Sequence, residues 1–170
     1  WLALRLAPHG EAIAVDVAPG LLRVLPAVLA GVRRLCDLSC DPQAVAAALG
    51  PLAADAPGLR VPGAFDGFEM AVRAVLGQQV TVKAAHTLAG RLAAAFGEPL
   101  LPLPSAPQFD GIGLLFPTPQ RLVSAGVEPI AALGIVRSRA HALIALAQAV
   151  LDGRVDLGPA ADVALCTERL

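Results

Sequence analysis

The sequence has no excess of charge of either sign: 13 Lys and Arg face 14 Asp and Glu among 170 residues, for a net charge of −1. That balance excludes the strongly basic field with which proteins that coat nucleic acid capture it non-specifically, and leaves local, shape-based contact open. Long apolar runs are also missing. The longest charge-free stretches, such as Pro42 to Ala54 and Ala140 to Leu151, fall well short of the ~20 residues a membrane helix needs. Cysteine is scarce and odd in number. Cys36, Cys40 and Cys166, in a chain without a signal-peptide pattern, fit a reducing compartment better than a disulfide framework, with the cytoplasm as the default. Charged residues make up only 16% of the chain against 56% hydrophobic, so it can fold away roughly 70% of its unfolded surface and is not intrinsically disordered.

What is abundant is punctuation: 16 Gly and 15 Pro exceed the usual combined share of about 12%. Leu2, Leu4 and Leu6 alternate with smaller or charged residues, as do Ile13, Val15 and Val17 after the turn-like Pro8 to Glu11, which predicts an antiparallel hairpin. Apolar residues at helical spacing then predict a helix over Leu21 to Leu35, with Pro26 near its first turn. Asp41-Pro42 and Gly50-Pro51 bound a second, short helix. Two strands and two helices cannot cover both faces of a sheet, so these strands are expected to belong to a larger sheet of which this chain carries part.

Ala54 to Gly58 reads as a linker, and everything after it carries helical period. Two domains follow, over residues 1–61 and 62–170, with the boundary near Arg60 to Gly63. Asp66 can accept from the Glu69 N–H while Glu69 reaches back to the Asp66 N–H, with Phe65 and Met70 at the staple positions. Phe68, Val72, Val75 and Leu76 form the buried stripe of that helix up to Gly77. Thr81 caps the next, which Gly97 and Pro99 end after Phe96. Gln78 and Gln79 therefore lie at a helix junction. Leu100 to Pro107 is expected to be a loop; Thr118-Pro119 to Gly126, Glu128-Pro129 to Gly134 and Ser138 to Gly153 predict three further short helices. The chain starts at Trp1 instead of Met, and a last helix-like stretch from about Asp162 reaches Leu170 without a stop signal, so both ends read as cut.

Few residues suggest chemistry. Cys36 and Cys40 lack the second close pair that zinc sites use, and His9, His86 and His141 are scattered, so buried structural thiols and no metal are expected. No His stands in a nucleophile motif. Gly111-Ile112-Gly113 could aim backbone N–H groups at a phosphate, but Pro117 and Pro119 prevent the long helix such a hairpin opens, and it reads as loop. The pairs Arg33/Arg34 and Arg137/Arg139 read as solvated faces. Gln78-Gln79 differ: two long amides between a buried stripe and a capping Thr are poorly explained by helix propensity, although an ordinary polar helix exit stays open.

The run Phe65-Asp-Gly-Phe-Glu-Met-Ala-Val-Arg-Ala-Val-Leu-Gly-Gln-Gln-Val-Thr-Val-Lys-Ala-Ala85 resembles the opening of the helical domain in the DNA-3-methyladenine glycosylase II family, the alkylation-repair branch of the helix-hairpin-helix glycosylases. Leu59-Arg-Val-Pro-Gly63, Phe116-Pro-Thr-Pro-Gln-Arg-Leu122, Ala132-Leu-Gly134 and Arg139-Ala-His-Ala-Leu143 follow that family's order. Pro19-Gly-Leu and Arg34-Leu-Cys-Asp-Leu38 resemble its N-terminal sheet domain. The resemblance implies an α+β chain: part of an antiparallel sheet domain similar to the TATA-binding protein, with two helices, then an incomplete all-α domain.

The same resemblance implies base flipping out of a duplex and hydrolytic excision of 3-methyladenine- and 7-methylguanine-type bases, by a monomer without metal or organic cofactor. The partner is double-stranded DNA with alkylated bases, and no membrane. The essential Asp, the phosphate-gripping hairpin and the aromatic walls are expected beyond Leu170. None of Asp110, Asp152, Asp156 and Asp162 is assigned the catalytic role, and the chain alone is expected to be inactive. Gln79 falls at the family's wedge position, with Gln78 beside it as the second expected DNA contact; Gln79 is expected to be exposed and Gln78 to be more engaged in local backbone hydrogen bonds. Two rivals stay open: a sister glycosylase for oxidised guanine, and a glycosylase-like binding module of an alkylation-response regulator.

Overall fold

The computed structural model describes residues 2–7, 12–100 and 113–169, and these form two compact units that meet in sequence between Phe65 and Asp66. The first opens with the hairpin. Strands β1 (Leu2–Leu6) and β2 (Ile13–Val17) pair antiparallel with Leu2 opposite Val17 and Leu6 opposite Ile13, and Arg5 pairs with Asp16 across the exposed face. The predicted first helix is split. A 3-10 stretch at Pro19–Val24 precedes α1 (Leu25–Leu35), because Pro26 favours a helix start in its own vicinity. Asp41 caps α2 (Pro42–Leu49) by accepting from Gln43 N at 2.9 Å, and Gly50 ends it at φ +56.

Residues 59–65, which follow the linker read at Ala54 to Gly58 and span the expected domain boundary, are strapped onto the end of α1. Asp37, left-handed at φ 49, accepts the Val61 N–H at 3.0 Å, while Arg60 donates to the carbonyls of Asp37 and Cys40. Arg34 donates to the Ala64 and Phe65 carbonyls, and the Phe65 ring lies against Gly31. A segment at a domain boundary that cannot build its own core can still dock on a neighbouring helix.

The second unit is a helix bundle: α3 (Gly67–Gly77), α4 (Val82–Phe96), α5 (Pro119–Ala125), α6 (Val127–Ala131), α7 (Arg137–Leu151) and α8 (Val163–Arg169). A two-residue ladder, β3 (Glu98–Pro99) with β4 (Leu114–Leu115), corrects the expectation of helical elements alone; pairs this short carry no period to read. Helix α7 packs against α3, α5 and α6, around a core in which Val72, Leu76, Leu92, Leu122, Ile130 and Leu143 are fully buried. Asp66 caps α3 from the Glu69 N–H as predicted, but Glu69 turns forward to an i,i+4 pair with Arg73, and Arg73 also covers the Phe116 ring at 5.3 Å. No described helix is long and apolar enough to cross a membrane.

Candidate nucleic-acid interface

The α3–α4 junction is fixed from both ends. Leu76, fully buried, anchors the last turn of α3. Gln78 then leaves the helix in an extended conformation, φ −62 and ψ 126. Gln79 turns left-handed at φ 55, and Thr81 restarts the chain as α4 by accepting the Ala84 N–H at 3.2 Å. A left-handed residue with a side chain costs about 1–2 kcal/mol, which glycine would not incur. Keeping Gln there retains a long amide at the tip of a turn, and both Gln78 and Gln79 are exposed.

The Gln78 carbonyl accepts from Arg139 Nη2 at 2.7 Å, across 61 residues. The local backbone bonding expected for Gln78 is thus replaced by a side chain from α7. Around the turn the surface is apolar as well as polar: Val80 is 38% exposed, and Val82 is far out at 81%. The cations differ in company. Arg137 is matched by Glu128, whereas Lys83 in the first turn of α4 and the half-buried Arg139 have no carboxylate partner among the described residues. Helix N-termini attract anions, so unneutralised cations there favour a polyanion.

The remaining candidates have local roles. Asp152 accepts from Gln148 at 2.7 Å and pairs with Arg154, and these contacts, the Gln148 bond first, hold its carboxyl below the ordinary value. Asp156 caps the turn at Gly158, Asp162 caps α8 through the Leu165 N–H, and Asp110 lies outside the described residues, as do His9 and most of the Gly111 to Gly113 stretch. The three thiols are free and half-buried, less enclosed than expected: Cys36 follows the end of α1, Cys40 precedes the start of α2, and Cys166 sits in the seven-residue α8. Burial and then Asp37 push the Cys40 thiol up, away from the thiolate form that metals and electrophiles need. Among the described residues no three His, Cys, Asp or Glu side chains gather into a metal site.

Sequence reasoning located the Gln turn but missed Arg139, read as a solvated face. A signal was present. Arg137 and Arg139 put two cations in the first turn of a helix, where the dipole disfavours them, and such a local inconsistency marks a side chain used elsewhere.

Residues 1–66 match the family model of the AlkA N-terminal domain, and residues 72–167, more than half of the chain, match that of the HhH-GPD superfamily base excision DNA repair protein. The chain belongs to the HhH-GPD superfamily. It is 44% identical over 149 residues to DNA-3-methyladenine glycosylase 2 of Escherichia coli, covering 88% of this chain and 50% of that protein. Over 84 residues it is 50% identical to a probable bifunctional transcriptional activator/DNA repair enzyme AlkA of Mycobacterium tuberculosis, covering 46% of this chain and 17% of that one. The chain thus spans half, or less, of the length of these relatives. The fold of an 8-oxoguanine glycosylase/lyase from Clostridium acetobutylicum, solved with double-stranded DNA, superposes with a TM-score of 0.68 at 15% identity, over 99% of this chain and 56% of that one. At that identity the likeness is one of fold.

Proposed function

We propose that this chain forms the sheet-domain part and the base-extruding helices of a DNA glycosylase that removes alkylated bases, acting as a monomer on duplex DNA in the cytoplasm. The observation that carries the proposal is Gln79. It is exposed, left-handed and fixed at the junction of two packed helices, in a chain 44% identical to a 3-methyladenine glycosylase. Rotating a nucleotide out of the duplex leaves a hole in the stack that costs a few kcal/mol, and a side chain wedged into the gap offsets it. Gln79 can fill the gap and also hydrogen-bond the orphaned partner base.

In the reaction, water bonds to C1′ as the C1′–N bond breaks. The alkylated base, already cationic, departs as a neutral leaving group, and a carboxylate stabilises the oxocarbenium charge and takes the proton of the attacking water. That carboxylate is assigned to no residue of this chain. The test is the full-length protein incubated with methylated duplex DNA: release of 3-methyladenine and 7-methylguanine, with intact strands carrying abasic sites, is the expected result. On a duplex carrying 8-oxoguanine in place of the methylated bases, strand cleavage with release of the oxidised guanine points to the sister chemistry instead, and binding to either duplex without any release points to a recognition module.

Gln79→Ala in the full-length protein is expected to weaken binding to abasic-site DNA by about 1–3 kcal/mol, the range of lost base stacking, with thermal stability nearly unchanged, as at an exposed site. Gln79→Gly loses the same affinity but relieves the left-handed strain, and is expected to gain about 1 kcal/mol of stability. Titration against abasic duplex and denaturant melts check both; unchanged affinity in either variant returns Gln79 to an ordinary polar helix exit.

A further inference from the structure

A residue with a side chain persists in the left-handed region only where its surroundings over-determine it. At the Gln78–Gln79 turn the constraints come from both sides. Thr81 caps α4 immediately after it, and Arg139 bonds the Gln78 carbonyl immediately before it. The position of Arg139 is otherwise unfavourable. It stands in the first turn of α7, which carries no acidic residue and has no side-chain cap, so the helix dipole opposes its charge. Arg137 in the same turn is compensated by a two-pronged contact with Glu128, whereas the hydrogen-bond partner of Arg139 among the described residues is the Gln78 carbonyl. Ala140 and Leu143, both fully buried, hold α7 in the bundle directly behind it. The guanidinium is therefore delivered to the turn from a rigid helix.

We propose that Arg139 is a positioning residue that locks the Gln79 turn, so that the Gln79 side chain meets DNA already in place. The proposal rests on the reading of Gln79 as the wedge. A turn held in its bound shape loses less freedom on association, and that gain is realised only where the duplex offers a gap for Gln79 to enter. A plain phosphate contact behaves differently: it strengthens damaged and undamaged duplexes alike and weakens with salt.

The experiment uses the full-length protein as wild type, R139A, R139K, Q79A and R139A/Q79A. Each is titrated with a duplex carrying a tetrahydrofuran abasic analogue and with the same duplex undamaged, and backbone hydrogen exchange at residues 78–81 is followed without DNA. Loss of a hydrogen bond from a charged donor predicts that R139A exchanges at the turn about tenfold faster and loses about tenfold of its preference for the abasic duplex. R139K, which keeps one donor, recovers part of both. Q79A has little further effect in the R139A background, since contacts that act as a unit are not additive. Unchanged exchange at the turn, or equal losses on both duplexes with additive Q79A effects, overturns the proposal and makes Arg139 a phosphate contact. A wild type without preference for the abasic duplex overturns the wedge reading instead. In that case the exchange rates still decide whether Arg139 holds the turn.

Discussion

Leu76→Ala is expected to lower the stability of the second unit by about 2–5 kcal/mol, the range for truncating a buried leucine. The lost transfer energy of the side chain accounts for part of this, and the cavity left behind for the rest. Leu76 has no exposed surface, and it belongs to one core with Val72, Leu92, Leu122 and Leu143 from four other positions in the bundle. Helix α3 packs against both α4 and α7, which are held by the same core and cannot both move in to close the cavity, and this puts the cost in the upper half of that range. Denaturant unfolding of the full-length protein measures it, and an unchanged slope with a lower midpoint identifies a native-state loss. The site should respond too. Leu76 lies two residues before Gln78, so a looser last turn of α3 loosens the Gln79 turn, and the preference for abasic DNA is expected to fall in the folded variant. A loss under about 1 kcal/mol would mean that this end of α3 is not part of a closed core.

The elements that can be read from the sequence are those whose signals are local. Asp41-Pro42, Asp66, Thr81 and Thr118-Pro119 start their helices in the structure as their side chains dictate, each accepting a backbone N–H from within the first turn of its helix. Gly50, Gly126, Gly134 and Gly153 take positive φ where the sequence pattern stops a helix. The place of Gln78 and Gln79 follows from the same punctuation. What stays hidden is set by partners far along the chain or by competition among near ones. The capping pattern sends Glu69 back to its own helix start, but Arg73 one turn on competes for it with a full charge. The guanidiniums of Arg34, Arg60, Arg91 and Arg139 end on carbonyls of residues between 20 and 61 positions away, and no spacing rule covers such pairs. The left-handed turn at Gln79 is hidden for a related reason: propensity assigns that conformation to Gly or Asn, and the bond that helps hold a Gln there comes from another helix.

Gly67→Ala is expected to cost about 3 kcal/mol, the upper end of the usual penalty for forcing extra volume into a packed site, although the change adds only one methyl group. A Cβ at Gly67 would overlap the Leu157 carbonyl oxygen and stand 3.0 Å from the Leu157 Cβ. A backbone carbonyl cannot rotate out of the way as a flexible side chain can. Nor can the segment simply retreat, because Val155 is only 2% exposed and Leu157 packs on the core. The opposite substitution supplies the control. Gly90 lies inside α4, exposed, with nothing within 4 Å of the place an added methyl would take, so Gly90→Ala is expected to stabilise by about 0.5–1 kcal/mol through helix propensity alone. The two variants make the same chemical change with opposite expected signs, which removes any general effect of Gly→Ala on the unfolded chain. Gly67 is also the first residue of α3 and Gln79 follows its end, a helix of 11 residues and roughly 16 Å away at 1.5 Å per residue. Relief of the clash by tilting α3 would therefore move the Gln79 turn as well. Relief by pushing out residues 155–158 would leave it in place. Melting midpoints give the cost, and the ratio of abasic to undamaged DNA affinity tells the two forms of relief apart. Equal stability of the two variants would mean that the chain at Leu157 has room to withdraw, and that α3 is not seated against it.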